Sequence, residues 1–218
     1  MNTPHPIPFK KIPTLSVLKE SYPGIKGLFF DMDGTLFNTE PYHTEAMVKL
    51  GRDHNIRSPF PQDVVHELLV GRADHLVFDV IKTWEGFPQH WSVADFVNAK
   101  TMNLLGILDE VEPQKYFPPE LLSLLEEARS SGFFLALVTS SEKIITHKLL
   151  ELAGISHLFH TTLTRDDCPH HKPHPWPYLK ALKESTHDAS EVIIFEDSAV
   201  GIEAARASGS HVVKVEWY

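Results

Sequence analysis

The sequence predicts an α/β fold with a doubly wound parallel sheet of the Rossmann-like type and an inserted α-helical domain. Short apolar runs recur along the chain and end abruptly in polar residues or glycine, which is typical of buried parallel strands. Amphipathic helical patterns separate these runs, and such alternation favours a parallel sheet covered by helices on both faces. Residues 39–112 differ, because they show helical spacing and no convincing strand.

Four apolar runs are interpreted as strands, and a fifth run is less regular. Each has the length of a short buried strand and is bounded by turn-forming or polar residues. The four runs are 25–30 (IKGLFF), 133–138 (FFLALV), 192–195 (VIIF) and 212–215 (VVKV), and the fifth is 158–163 (LFHTTL).

Helical patterns lie between these strands. Residues 118–128 begin with two prolines and carry an apolar face, which predicts a helix with proline in its first turn. Residues 141–153 predict a second helix, with serines available as N-caps and Gly154 as its stop. Residues 198–208 predict a third helix that ends at Gly209.

The chain divides into three predicted parts. The stretch 39–112, roughly 70 residues, is far too long for one crossover loop and is interpreted as a helical cap domain. Residues 25–38 and 113–218 form the predicted α/β core. Residues 1–24 are interrupted by five prolines and are interpreted as an N-terminal arm, which either packs on the sheet edge or binds a partner.

Composition limits the possible partners and compartments. A net charge of −9 argues against a nucleic-acid partner, whose phosphates the chain would repel at long range. No apolar run approaches the length of a membrane span, and the N-terminal region is not a secretory signal. The single cysteine, Cys168, excludes an internal disulfide and favours a reducing cytoplasm. A monomer or a weak dimer is expected.

The residues that follow the predicted strands are of the types that bind metal ions and phosphate. Ligands of open α/β sheets bind outside the carboxyl ends of the strands, so these residues are expected to meet there. They are Asp31 and Asp33 after the first strand, Thr139 and Ser140 after the second, Glu196 and Asp197 after the fourth, and Lys172 in a preceding loop.

Four carboxylates at one place are electrostatically costly unless a cation binds among them. Ligands that consist of oxygen alone suit Mg²⁺, which also bridges to substrate phosphate. The metal and Lys172 would let anionic Asp31 approach a phosphate group. These local cations would thus allow the negatively charged chain to bind a phosphate group.

These residues resemble the four motifs of the haloacid dehalogenase (HAD) superfamily. The segment 31–36 (DMDGTL) is similar to the DxDGT motif, and Thr139, Lys172-Pro173 and 196–202 (EDSAVGI) match the other three in order. The resemblance extends over nearly everything from residue 25 to residue 215. It implies a HAD-like core with a helical cap, in the branch that contains phosphoglycolate phosphatases, sugar phosphatases and β-phosphoglucomutase.

The resemblance implies a Mg²⁺-dependent phosphatase that acts on a small phosphorylated metabolite through an aspartyl-phosphate. Asp31 would attack phosphorus, and Asp33 would protonate the leaving oxygen and later take a proton from water. Family members that act on carbon–halogen bonds lack an aspartate at the position of Asp33, so its presence favours phosphate esters.

The same resemblance implies the ligand sets. Thr139, Ser140 and Lys172 would hold the phosphate. The metal would bind Asp31, the main-chain carbonyl of Asp33, and Asp197, with Glu196 in or beside that set.

Four residues of the predicted cap are candidates for substrate contact. His43, Gly71, Arg72 and Lys100 each have a structural alternative as well: a surface histidine, a turn glycine beside a solvated arginine, and a helix-face lysine.

Two other functions stay open beside the phosphatase. Cap residues that held a sugar phosphate would favour a β-phosphoglucomutase-like phosphomutase. A non-catalytic binding protein on the same fold is the hypothesis from another class. The intact set of Asp31, Asp33, Lys172 and Asp197 argues against that last hypothesis.

Overall fold

A computed structural model of the chain describes residues 7–59 and 74–218. Within these residues, six parallel strands form one sheet in the order β1-β6-β5-β2-β3-β4. The strands are β1 (Ile7–Phe9), β2 (Gly27–Phe30), β3 (Phe134–Val138), β4 (Thr161–Leu163), β5 (Val192–Glu196) and β6 (His211–Val215).

Helices connect the strands and cover the sheet, so the predicted fold class is confirmed. The helices of the described chain, numbered here in order, are α1 (Leu15–Ser21), α2 (Glu40–Asp53), α3 (Asp74–Ile81), α4 (Val93–Glu110), α5 (Pro119–Ser130), α6 (Lys143–Leu152), α7 (Trp176–Ser185) and α8 (Ala199–Ala207).

One face of the sheet packs against α7 and α8. Its core combines strand side chains such as Phe29, Val138 and Ile194 with Tyr178 and Ala204 from the two helices, all of them fully buried. The alternate residues of the strands point to the opposite face, because strand side chains alternate in direction. There the rings of Phe30 and Phe195 stack with their centroids 4.7 Å apart. The central strands are therefore buried on both faces.

The described part of the N-terminal segment is built into the sheet unit. Strand β1 pairs with β6 at the edge, and an edge strand tolerates its proline, Pro8, because one side of the strand needs no ladder donor. Helix α1 follows, with the hydroxyl of Thr14 accepting a hydrogen bond from Val17 N at 3.4 Å. From residue 7 onward the segment thus lies at the edge of the sheet, and its pairing with β6 is a non-local contact that local patterns do not reveal.

The chain folds into two compact units, 1–38 with 112–218 and 39–111. In the second unit α4 packs against α2 and α3. Its core contains Leu50, Ile81, Trp84, Phe87 and Phe96, which are buried or nearly so. Among the residues that the structure describes, no helix has the length and apolar character needed to cross a bilayer.

The packing of α1 predicts the stability of two neighbouring variants. Leu18 is fully buried and Val17 is 42% exposed on the same helix. Leu18→Ala should lower the free energy of unfolding by about 2–5 kcal/mol because it leaves a cavity. Val17→Ala should change it by about 0.5 kcal/mol at most. Urea unfolding followed by circular dichroism measures both, and equally small effects would mean that α1 is not part of the folded core.

Candidate active site

The ends of three neighbouring strands position the predicted catalytic residues. Asp31 follows β2 directly, and its N–H donates to the carbonyl of Phe195 at 3.0 Å, which continues the ladder with β5. Thr139 follows β3 and donates its N–H to Leu163 O at 2.9 Å. Glu196 is the last residue of β5. Main-chain hydrogen bonds thus fix the backbone positions from which these side chains extend at the carboxyl edge of the sheet.

A buried lysine lies at the centre of this edge. The Nζ of Lys172 donates to Asp31 Oδ1 at 2.5 Å, to Glu196 Oε1 at 2.6 Å and to Val138 O at 2.8 Å. The side chains of the lysine and the two acids are 3%, 11% and 0% exposed, respectively. Three acceptors match the three N–H groups of an ammonium, so its position and direction are fully determined.

The pKa values of these groups are set by burial and by the charges they exert on one another. Burial raises the pKa of Asp31 well above its usual value, and the charge of Glu196 adds to this effect while Lys172 opposes it. Burial alone would lower the pKa of Lys172, but the charges of Asp31 and Glu196 outweigh it and raise the value. The lysine therefore stays a cation despite its burial.

Glu196 is surrounded by hydrogen-bond donors and is closely approached by helix α8. The hydroxyl of Tyr178 donates to its Oε1 at 2.6 Å, and the hydroxyl of Ser198 donates to its Oε2 at 3.1 Å. Burial and the negative charge of Glu196 raise the pKa of Tyr178 well above its usual value, so the phenol remains a donor. A Cβ on Gly201 of α8 would lie 2.0 Å from the Glu196 carboxylate, so only glycine fits there.

Asp197 is held against the loop that follows β2. The hydroxyl of Thr35 donates to its Oδ1 at 3.1 Å. Gly34 has a φ of +77°, and a Cβ at this position would lie 2.4 Å from Asp197 Oδ2. Burial and the charge of Glu196 raise the pKa of Asp197 to about 6. The glycine of the 31–36 segment therefore allows both the turn and the close approach of the carboxylate.

The three hydroxyl residues that follow β3 differ in their contacts and exposure. Ser141 Oγ donates to Asp33 Oδ2, and Ser141 N donates to Thr139 Oγ at 3.0 Å. Ser140 is exposed. The expected N-cap serines are not found, because α6 begins at Lys143, whose N–H is capped by the carboxylate of Asp166 at 2.8 Å. Ser141 is directed instead to Asp33.

The donor set fits a divalent metal ion. One oxygen each of Asp31, Glu196 and Asp197 lie within 4.8 Å of one another. Burial and, after it, the neighbouring negative charge of Glu196 raise the pKa values of Asp31 and Asp197, and a cation would relieve this charge repulsion. Oxygen-only ligands suit Mg²⁺. Glu196 already accepts from three protein donors, so Asp31 and Asp197 are the more available carboxylates.

The candidate residues of the predicted cap lie in the second unit or outside the described residues. His43 is partly buried in the first turn of α2. Lys100, on α4, forms an ion pair with Asp74 at the start of α3, and both side chains are 19% exposed. Gly71 and Arg72 fall outside the described residues.

Sequence reasoning missed three residues of this edge: Thr35, Ser141 and Tyr178. Thr35 lies in the 31–36 segment and Ser141 follows Thr139 by two residues, so attention to the hydroxyl groups in and beside the motifs could have found them. Tyr178 lies in the first turn of α7, a helix that was not predicted because prolines surround its start. Proline in a first helical turn was the available signal.

A parallel sheet with a buried lysine between two carboxylates at its carboxyl edge defines the site of an α/β enzyme. The family model of haloacid dehalogenase-like hydrolases matches residues 25–209. The chain belongs to this family. The predicted family membership and the prediction of a hydrolytic enzyme are both confirmed.

Individual relatives are similar over most of the chain. The fructose-1-phosphate phosphatase YqaB of Escherichia coli is 28% identical, over 89% of this chain and 98% of its own. A phosphoglycolate phosphatase of Colwellia psychrerythraea is 26% identical, over 83% and 80%. The crystal structure of CbbY from Rhodobacter sphaeroides in complex with phosphate superposes with a TM-score of 0.75 at 26% identity, covering 88% of this chain and 85% of that one.

The close packing of Gly201 predicts the effect of one added methyl group. Gly201→Ala should destabilise the protein by about 1–3 kcal/mol, because Glu196 is fixed by its hydrogen bonds and has no room to move. Gly106→Ala is the matched control, since Gly106 also lies in a helix and a Cβ there meets nothing within 4 Å. That control should be neutral or stabilising by up to about 1 kcal/mol. Urea midpoints measure both variants, and equal midpoints would contradict the enclosed position of Glu196.

Proposed function

We propose that the protein is a Mg²⁺-dependent phosphatase that hydrolyses a phosphoric monoester of a small metabolite through an aspartyl-phosphate on Asp31. The substrate is of the sugar phosphate or phosphoglycolate type. The observation that carries the proposal is the contact of buried Lys172 with Asp31 at the edge where Asp33, Glu196 and Asp197 also lie.

The charges at this edge support a phosphate substrate. A carboxylate that attacks a phosphate dianion must overcome repulsion between like charges, and the net charge of −9 adds to that repulsion. Lys172 lies 2.5 Å from Asp31 and remains charged, so it offsets the repulsion where the bond forms. The same net charge supports the absence of a nucleic-acid partner.

The first step transfers the phosphoryl group to the enzyme. A carboxylate oxygen of Asp31 forms a bond to phosphorus in line with the leaving oxygen, whose bond to phosphorus breaks. Asp33, protonated at this stage, gives its proton to that oxygen and releases the alcohol. The hydrogen bond from Ser141 to one oxygen of Asp33 orients the carboxyl group for this transfer.

The second step returns the enzyme to its starting state. Water attacks the phosphorus of the aspartyl-phosphate, and Asp33 takes a proton from that water. The bond between phosphorus and the oxygen of Asp31 breaks, so that inorganic phosphate leaves and Asp31 is again a carboxylate. Asp33 therefore acts as acid and then as base.

The phosphate oxygens need donors during both steps. Lys172 supplies charge beside Asp31. The hydroxyl of Thr139 accepts from Ser141 N and keeps its own hydrogen for a phosphate oxygen. Ser140, exposed at the same edge, presents a further hydroxyl.

Asp31, Asp197 and the main-chain carbonyl of Asp33 would hold Mg²⁺, with Glu196 beside them as the partner of Lys172. When bound, the metal supplies positive charge that neutralises the carboxylates and the developing charge on the phosphoryl group.

The relatives support the proposed substrate class. The named relatives act on fructose 1-phosphate or phosphoglycolate, both small phosphorylated compounds. Residues 39–111 supply the part of the chain outside the sheet unit that can select among such substrates. His43, Gly71, Arg72 and Lys100 remain candidates for this selection, although the contact with Asp74 already engages Lys100.

Phosphate release across a panel of monoesters tests the proposal. The panel contains fructose 1-phosphate, other sugar phosphates, phosphoglycolate, nucleotides and β-glucose 1-phosphate, each with Mg²⁺ and with EDTA. We expect release that is concentrated on sugar phosphates or phosphoglycolate and is lost with EDTA, because the carboxylate cluster needs the cation. Release that is insensitive to EDTA, or none from any monoester, would contradict the proposal.

Two matched variants assign the release to the site in the same assay. Asp31→Asn should lower the rate by about three orders of magnitude or more, since the amide is not a nucleophile. Asp79→Asn makes the same change at an exposed carboxylate of α3 and should keep the wild-type rate. Metal-dependent turnover that survived in Asp31→Asn would rule out the assigned nucleophile.

The phosphomutase alternative is tested by the panel as well. A mutase passes the phosphoryl group to a sugar hydroxyl and protects the aspartyl-phosphate from water. Formation of glucose 6-phosphate from β-glucose 1-phosphate with little free phosphate would replace the phosphatase proposal by the mutase one.

A further inference from the structure

Two residues that follow β6, Trp217 and Tyr218, lie against the 34–37 loop, which directly follows Asp31 and Asp33. The indole Nε1 of Trp217 donates to the carbonyl of Thr35 at 3.0 Å. The hydroxyl of Tyr218 donates to the carbonyl of Leu36 at 2.9 Å. Both residues lie beyond residue 209, where the match with the family model ends.

The loop itself is closed mainly by local hydrogen bonds. Leu36 N and Phe37 N donate to Met32 O at 2.9 and 2.8 Å, and Gly34 N donates to Phe37 O at 2.8 Å. These bonds set the shape of the turn but do not attach the Thr35 and Leu36 carbonyls to the sheet. Thr35 and Leu36 are fully buried, and a buried carbonyl without a donor is costly. Trp217 and Tyr218 supply donors to these two consecutive carbonyls.

The first of these donors, Trp217, is itself anchored on the sheet. Glu216 N donates to Phe9 O at 3.0 Å, which continues the pairing of β6 with β1 by one residue. The ring of Trp217 packs against Phe195 of β5 with centroids 6.1 Å apart. The indole N–H therefore has a fixed direction relative to the strand that ends in Glu196.

The residue that Trp217 contacts also forms a hydrogen bond to the carboxylate cluster. Thr35, whose carbonyl accepts from Trp217, donates its hydroxyl to Asp197 Oδ1 at 3.1 Å. A shift of the Thr35 main chain would move this hydroxyl and change the position of Asp197. The Tyr218 contact is one peptide further along, at Leu36, and so controls the loop without a direct link to Asp197.

We propose that Trp217 and Tyr218 are positioning residues for the reaction: they hold the 34–37 loop, and Trp217 acts through Thr35 on Asp197. This inference rests on the proposed function for its catalytic readout. It adds a determinant of activity that lies outside the four family motifs.

Removal of single donor groups tests the inference. Trp217→Phe and Tyr218→Phe each lose one hydrogen-bond donor and keep an aromatic ring. We expect kcat to fall about three- to tenfold in each, the range that corresponds to one lost hydrogen bond, with KM changed less than kcat. The half-saturating Mg²⁺ concentration should rise in Trp217→Phe and stay closer to the wild-type value in Tyr218→Phe.

A second readout does not depend on turnover. Mg²⁺ alone should raise the Tm of the wild-type protein, because a ligand that binds the folded state stabilises it. Trp217→Phe should need a higher Mg²⁺ concentration for the same rise in Tm. If the wild-type protein releases no phosphate, the proposed function fails, and this readout still tests the role of Trp217.

Ser208→Ala is the matched control for a merely structural effect. Ser208 Oγ donates to Ala205 O at 2.6 Å and accepts from Ser210 N at 3.4 Å, so the variant also loses a buried hydrogen bond to a main-chain carbonyl, together with a longer one, at the end of α8. It should lower Tm without changing kcat or the Mg²⁺ dependence. Wild-type kcat and Mg²⁺ dependence in Trp217→Phe, or equal losses in Ser208→Ala, would overturn the inference.

A double-mutant cycle with Thr35→Val tests whether Trp217 acts on Asp197 through the hydroxyl of Thr35. Thr35→Val removes the hydroxyl that contacts Asp197. If Trp217 acts through this hydroxyl, Trp217→Phe should shift the Mg²⁺ dependence less in the Thr35→Val background than in the wild-type protein. Fully additive shifts would show that Trp217 does not act through Thr35.

Discussion

The hydrogen-bonded ion triplet of Asp31, Lys172 and Glu196 is the interaction on which the rest of the site depends. A buried ammonium is costly unless charges and hydrogen bonds compensate it, and here two carboxylates and one main-chain carbonyl do so. Removal of the lysine would leave two carboxylates in the core without a positive charge between them. The sheet makes the triplet possible, because parallel pairing brings the ends of β2 and β5 side by side and the carbonyl of β3 within reach. Stability and chemistry therefore depend on the same three side chains.

Around this triplet, each remaining contact fixes one member of the charge cluster. Tyr178, Ser198 and the close approach of Gly201 fix Glu196, which makes it a rigid partner for the lysine rather than a mobile acid. Thr35 orients Asp197, and the bonds from Trp217 and Tyr218 tie its loop to the sheet. Such support matters for catalysis because small displacements of positioned groups cost much of the rate. Burial and the charge of Glu196 together raise the pKa values of Asp31 and Asp197, and a divalent cation would balance the negative charge that remains.

The sequence predicted the parts of this arrangement that local patterns encode. Apolar runs that end in Asp31, Thr139 and Glu196 indicated both the strands and the edge where they meet. Strand β1 was not predicted, because it is three residues long and exists only through its pairing with β6. The role of Glu196 also could not be decided, since metal ligand and lysine partner need the same residue type and differ only in side-chain surroundings. The contacts of Trp217 and Tyr218 join residues 182 positions apart in the chain, and no local signal reports them.

The central claim is that Asp31 carries the phosphoryl group during turnover. Borohydride reduces an acyl phosphate to the alcohol, so rapid mixing with substrate and Mg²⁺, followed by reduction and peptide mass spectrometry, detects the intermediate directly. The account predicts homoserine at position 31 in samples with both substrate and metal, and unmodified aspartate when either is omitted. An unmodified Asp31 in a protein that turns over, or a reduced acyl phosphate at another carboxylate, would contradict it.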